Sequence, residues 1–133
     1  IGAMKATYFL PKPNVKYIIE LDRSGNNDAV FYYCDNEEFK KYIESFGFVT
    51  QKGIFSDICV LAENWDVAAV NLSSAYYEEH SCCEYIKFKE LESIIKRVKN
   101  MINNHMNAKY YEFAHVYFKN VDFKKNMERK LSR

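Results

Sequence analysis

The sequence predicts a layered α/β domain, and three observations carry that expectation. Apolar runs of strand length alternate with segments whose apolar residues recur at helical spacing. Hydrophobic residues make up 48% of the chain and aromatics 17%, far from the low-hydrophobicity, high-charge composition of disordered chains. The length of 133 residues fits one compact unit with one modest core.

The elements follow in order. Ile1-Gly2-Ala3 ahead of Met4 reads as the remnant of a cleaved expression tag, residues 1–3, and is set apart from the fold. Pro11 and Pro13 make the entry segment extended, and residues 15–22 are a β-branched and aromatic run that ends on the carboxylate of Asp22. Residues 23–28 are dense in turn formers and residues 29–33 form a second apolar run, so the two runs are expected to be adjacent strands. Asp35 offers an N-cap oxygen with a glutamate three residues on, and Phe39, Tyr42, Ile43 and Phe46 share one helical face that Gly47 ends.

Residues 48–50 suit a short strand, Gly53 breaks it, and Ser56-Asp57 cap a brief helix over residues 58–63. The small-residue apolar run 67–72 suits a central strand, and a polar, aromatic loop follows over residues 73–84. From Phe88 to Ile102 the apolar residues trace one face of a long helix. A further stripe from Tyr110 to Val121 has helical spacing and leads into a basic end. The expected organisation is therefore an α/β domain over residues 4–107 with a helical basic extension over 108–133. No internal repeat or low-complexity stretch interrupts it.

Charge and cysteine usage narrow the function classes. Lys and Arg number 19 against 18 Asp and Glu, which argues against a chain whose whole surface neutralises a nucleic-acid backbone. Residues 1–107 hold 12 basic and 15 acidic side chains, and residues 108–133 hold 7 and 3, so attraction to an anion would sit in the tail. A solvated helix end is the commoner use of such a tail, and nucleic-acid binding is not expected. No apolar run approaches the ~20 residues that span a bilayer and no secretion signal is visible, so the expected location is cytoplasmic, without membrane contact. Cys34, Cys59, Cys82 and Cys83 read as reduced thiols.

Candidate chemistry concentrates at three places: the strand tip at Asp22, the Gly-x-x-Ser-Asp turn of Gly53 to Asp57, and the loop running from Asn71 to Tyr85 through Tyr76, Tyr77 and His80. Taken alone, Asp22 would cap a turn or pair with Arg23, and His80 would be a solvated loop imidazole. In combination, over roughly residues 15–104, the three resemble the C-terminal half of the catalytic domain of the di-zinc exopeptidases, the co-catalytic zinc aminopeptidases and carboxypeptidases. The resemblance implies an α/β sandwich in which two zinc ions activate a shared water while a glutamate moves its proton. It implies Asp22 as the carboxylate ligand of one zinc and His80 as a ligand of the other. It further implies Ser56 and Asp57 as a supporting turn, and Tyr76, Tyr77 and Glu84 as loop positions that shape the site or orient its ligands.

The resemblance also implies what this stretch lacks. The family's His-x-Asp element, bridging aspartate and Glu-Glu pair belong upstream of the Asp22 strand, and neither Glu37-Glu38 nor Glu78-Glu79 takes their place. Each zinc would keep one matched ligand, where a catalytic zinc needs three, so tight zinc retention by the chain alone is not expected. The function expected is that of a C-terminal fragment or truncated form of a zinc-dependent exopeptidase, inactive in isolation. It would associate with itself or with a complementary N-terminal half through exposed sheet edges. The alternative is a non-catalytic interaction domain on the same scaffold, contacting a partner through the loop from Tyr76 to Glu84 or through the basic tail.

Overall fold

The computed structural model describes residues 2–104 and 106–114. Its helices are α1 (Gly2–Phe9), α2 (Glu37–Glu44), α3 (Asp57–Trp65) and α4 (Phe88–Asn103). Its strands are β1 (Ile18–Arg23), β2 (Asp28–Val30), β3 (Val49–Gln51), β4 (Ala69–Ser73), β5 (Tyr76–Tyr77) and β6 (Tyr85–Ile86). The α/β class expected from the sequence holds.

Four strands form a mixed sheet in the order β1-β4-β2-β3. β4 is buried along its whole length and is central as its apolar run demands. It pairs parallel to β1 and antiparallel to β2, and β2 pairs parallel to β3. β1 and β2 are therefore not neighbours, contrary to the expectation from their short connection. The buried β4 inserts between them, because a strand buried along its whole length needs a neighbour on each edge to satisfy its backbone N–H and carbonyl groups. β2 also stops at Val30, since Tyr32 takes a left-handed backbone at φ 52° that a strand cannot continue through.

Alternation along β4 sets the layers. Ala68, Val70 and Leu72 join Phe39 and Ile43 of α2 and Ile94, Val98 and Met101 of α4 in the larger core cluster. Ala69 points the other way, to Ile58 and Ala62 of α3 and Ile18 of β1. The sheet is thus covered by α2 and α4 on one face and by α3 on the other.

Local chemistry explains the helices. Asn36, one residue later than the Asp35 expected, caps α2 by accepting from the Phe39 N–H at 3.0 Å. Glu37 and Glu38 then meet the helix dipole in its first turn. Gly47, at φ 86°, supplies the left-handed exit that α2 needs. α3 ends on Asp66, also left-handed at φ 51°, where the Val67 N–H reaches back to the Ala62 carbonyl at 3.1 Å.

Both chain ends depart from expectation. Gly2 and Ala3 belong to α1, which packs on α3 with Ala3 buried. Residues 108–114 carry no helix, although their apolar residues have helical spacing. They run against the domain base, where the Tyr111 N–H donates to the Lys16 carbonyl and the Tyr111 carbonyl accepts from the Ala68 N–H, both at 2.9 Å. Those bonds compete with helical ones, and the Tyr111 ring packs against Tyr17, Phe39 and Tyr42. The boundary placed at residue 107 thus cuts through a packed segment. The rest of the expected helix, with the basic end, lies outside the described residues. Among the described residues no helix is long and apolar enough to cross a membrane.

Candidate functional site

The same alternation that sends Val70 and Leu72 to one face sends Asn71 and Ser73 to the α3 face, both buried. Beside Asn71 in register stands Glu20 of β1, and two residues on stands Asp22. Over these side chains, at the carboxyl end of β1, opens a wide cleft whose far wall is the segment from Lys52 to Asp57 entering α3.

Five of the seven site residues proposed from the sequence line this cleft: Asp22, His80, Ser56, Asp57 and Tyr76. Asp22 comes from the tip of β1, Ser56 and Asp57 from the start of α3, Tyr76 from β5, and His80 from the β5–β6 loop. Tyr77 and Glu84 are not among the lining residues. The Tyr77 hydroxyl donates to Glu90 of α4, its ring stacks on Tyr85 at 5.5 Å, and the Lys87 ammonium lies 4.2 Å from the ring centre. That bond to Glu90, more than burial, pushes the Tyr77 phenol up to about 12. Glu84 acts on the loop itself, its carboxylate accepting the His80 backbone N–H at 3.2 Å.

The loop that presents His80 is tightly turned. Ala75, Glu78 and His80 all hold left-handed backbone conformations, at φ 63°, 56° and 62°, which cost an L-residue about 1–2 kcal/mol each. Bonds around the turn hold it: the Ala75 N–H donates to the Gly25 carbonyl at 2.8 Å, the Ser24 hydroxyl to Glu79 at 3.0 Å, and the Ser81 hydroxyl to the Glu78 carbonyl at 2.7 Å. Glu79 sits below the ordinary carboxylate range because its own backbone N–H and the Ser24 hydroxyl stabilise its charge.

Inside the cleft the field is acidic. Glu20, Asp22, Asp57 and Glu79 line it against Arg23 and Lys52, and Arg23 is turned toward Asp28 at 3.0 Å. Burial raises the Glu20 carboxyl, and the Asp22 and Asp57 charges raise it further, while a hydrogen bond from the Ser56 hydroxyl pulls it back. Tyr76 is also pushed up, by burial first and then by Asp22, Glu79 and Glu84. Burial likewise raises the Cys59 thiol, whose sulfur accepts the Ser56 N–H at 3.4 Å, so Cys59 is poorly suited to act as a thiolate nucleophile. Cys34, Cys59, Cys82 and Cys83 are all free.

Sequence reasoning missed Glu20 and Tyr32, named Asn71 only as the start of the candidate loop, and set Glu79 aside, yet all four line the cleft. Glu20 had a signal, since it lies two residues before Asp22 and alternation puts both on one side of β1. Asn71 had a weaker one, as the sole polar residue within the run 67–72. Tyr32 reaches the cleft through its left-handed turn, where its hydroxyl accepts from the Asn71 amide at 3.1 Å.

Among the described residues no three His, Cys, Asp or Glu side chains are grouped so that they could hold a metal ion. The donors present therefore do not fit a complete zinc site by themselves. Comparisons with protein-family models, curated proteins and solved structures find no match to this chain.

Proposed function

We propose that this chain contributes one wall of a zinc-dependent exopeptidase-type catalytic centre, and that it does not hydrolyse peptide bonds by itself. The observation that carries the reading is that Asp22 and His80, far apart in sequence and on different elements, line one cleft. Zinc, where bound, would polarise the scissile carbonyl and activate water. In this reading the remaining ligands come from polypeptide outside these 133 residues, a complementary partner with its own acidic and imidazole donors.

The residues of this chain then have separable tasks. Asp22 offers a carboxylate, fixed because its backbone is bonded to Asn71. His80 offers an imidazole on a loop that Glu84 and Glu79 hold in its turn. Glu20 is a partly buried carboxylate whose proton affinity is raised by burial and by the Asp22 and Asp57 charges, a setting in which a carboxyl can take and return a proton. The exposed side chains of Ile54 and Phe55 rim the opening and suit the apolar part of a peptide.

The test is a zinc titration of the full chain followed by two-dimensional NMR. The expected result is weak binding that perturbs His80 and the neighbours of Asp22 and disappears in Asp22→Ala and in His80→Ala. Tight zinc binding indifferent to both substitutions, or peptide hydrolysis by the chain alone, would overturn the reading.

A further inference from the structure

The helix α4 buries Ile94, Val98 and Met101 against the sheet, yet it leaves three large apolar side chains in water. Phe88, Ile95 and Ile102 are 76%, 43% and 56% exposed. They are spaced seven residues apart, so they stand in a line along the helix axis, as in the seam of a coiled coil. On the solvent flank of that line are Glu92 and Lys99, again seven apart and both exposed. Neither has an ion-pair partner among the described residues. At the Ile102 end a groove opens between α4 and β1, lined with Val15, Tyr17 and Ile19.

We propose that this stripe docks α4 of a second copy of the chain, packed antiparallel about a two-fold axis through Ile95. The charges choose the occupant and its direction. Antiparallel packing puts the same flank of both helices together and so sets Glu92 of each copy opposite Lys99 of the other, twice over, whereas parallel packing puts those flanks on opposite sides of the seam, where the two charges do not meet. The same alignment brings the Phe88 ring of each copy to Ile102 of the other, beside the groove of Val15, Tyr17 and Ile19. Knob and hole are reciprocal, as a closed two-fold contact requires. This face of the sheet is opposite the cleft, so the proposal goes beyond the hydrolase reading and does not depend on it.

Sedimentation equilibrium of the full chain, up to about 200 µM, tests it. The expected mass is twice that of one chain. Ile95→Glu should weaken the dimer by about 30-fold or more, as the loss of a central anchor does. Glu92→Lys and Lys99→Glu should each weaken it, and the two together should restore it. All these positions are exposed, and unchanged circular dichroism would show that the variants fold. A wild-type chain that stays monomeric throughout, an Ile95→Glu chain that associates as tightly as wild type, or a double swap no better than the single ones would each overturn the proposal.

Discussion

The side chain of Asn71 on β4 grips the backbone of Asp22 on β1 from both sides: its carbonyl oxygen accepts the Asp22 N–H at 3.0 Å and its amide donates to the Asp22 carbonyl at 3.4 Å. The parallel register between the strands shifts between Glu20 and Arg23, so the amide takes the place of ladder bonds lost at the irregularity. A buried polar side chain thereby positions the strand tip that carries the candidate ligand.

Asn71→Leu should leave the Asp22 backbone and the Tyr32 hydroxyl without these partners in a partly buried setting. The expected loss is about 1–3 kcal/mol, read by urea unfolding. Resonances of Asp22 and Tyr32 should shift in the folded variant, and unchanged stability would show that the amide is not what holds the bulge.

Glu20 gives a pH-dependent prediction. Its carboxyl is raised in the folded state, so the fold favours the protonated form. That contribution is complete in acid and is lost as pH rises through the raised value. Glu20→Gln should therefore be more stable than wild type at neutral pH, by less than about 1 kcal/mol given the solvent that reaches the cleft. The advantage should vanish below the ordinary glutamate range. Unfolding curves at neutral and acid pH decide this, and a variant that is less stable at neutral pH contradicts it.

Gly53 stands where the chain enters the cleft wall. A Cβ added there would lie 2.7 Å from Val30 Cγ1 and 2.9 Å from Tyr32 Cε1, closer than packed atoms tolerate. Val30 is fully buried and cannot swing away. Gly53→Ala should cost about 1–3 kcal/mol, measured as a lowered urea midpoint, and a neutral effect would mean that the segment from Lys52 to Phe55 shifts freely.

Tyr111 reports whether residues 108–114 belong to the domain. Its ring centre lies 5.1 Å from that of Phe39 and 5.6 Å from that of Tyr42, and it is almost fully buried. Tyr111→Ala should cost about 3–5 kcal/mol, as large aromatic truncations in cores do. Thermal unfolding checks this, and a shift near zero would return the segment to the status of an appendage.

Individual residues show which parts of the fold were legible in the sequence. Phe39 and Ile43 announce α2 through their spacing, and both are buried where that spacing directs them. The small-residue apolar run ending at Leu72 announces a central strand, and β4 is one. These are local properties: periodicity states which side of an element must leave water. The separation of β1 from β2 by β4 was not legible, because a short connection suggests adjacency while burial of both β4 edges outweighs it. The non-helical course of residues 108–114 was hidden for the same reason, since Tyr111 gains backbone bonds to Lys16 and Ala68 that its neighbours in sequence cannot provide.

By itself the sequence determined the class of the fold, the core faces of α2 and α4, the central place of β4, and a short set of side chains with chemical capacity, because each follows from spacing and composition along one stretch of chain. Tertiary structure alone decided that Asp22, Ser56, Asp57, Tyr76 and His80 share a cleft with Glu20 and Asn71 while Tyr77 turns away to Glu90. Convergence depends on strand order, register and the left-handed turns of the β5–β6 loop, and those are settled by competition among distant surfaces for burial and hydrogen bonds.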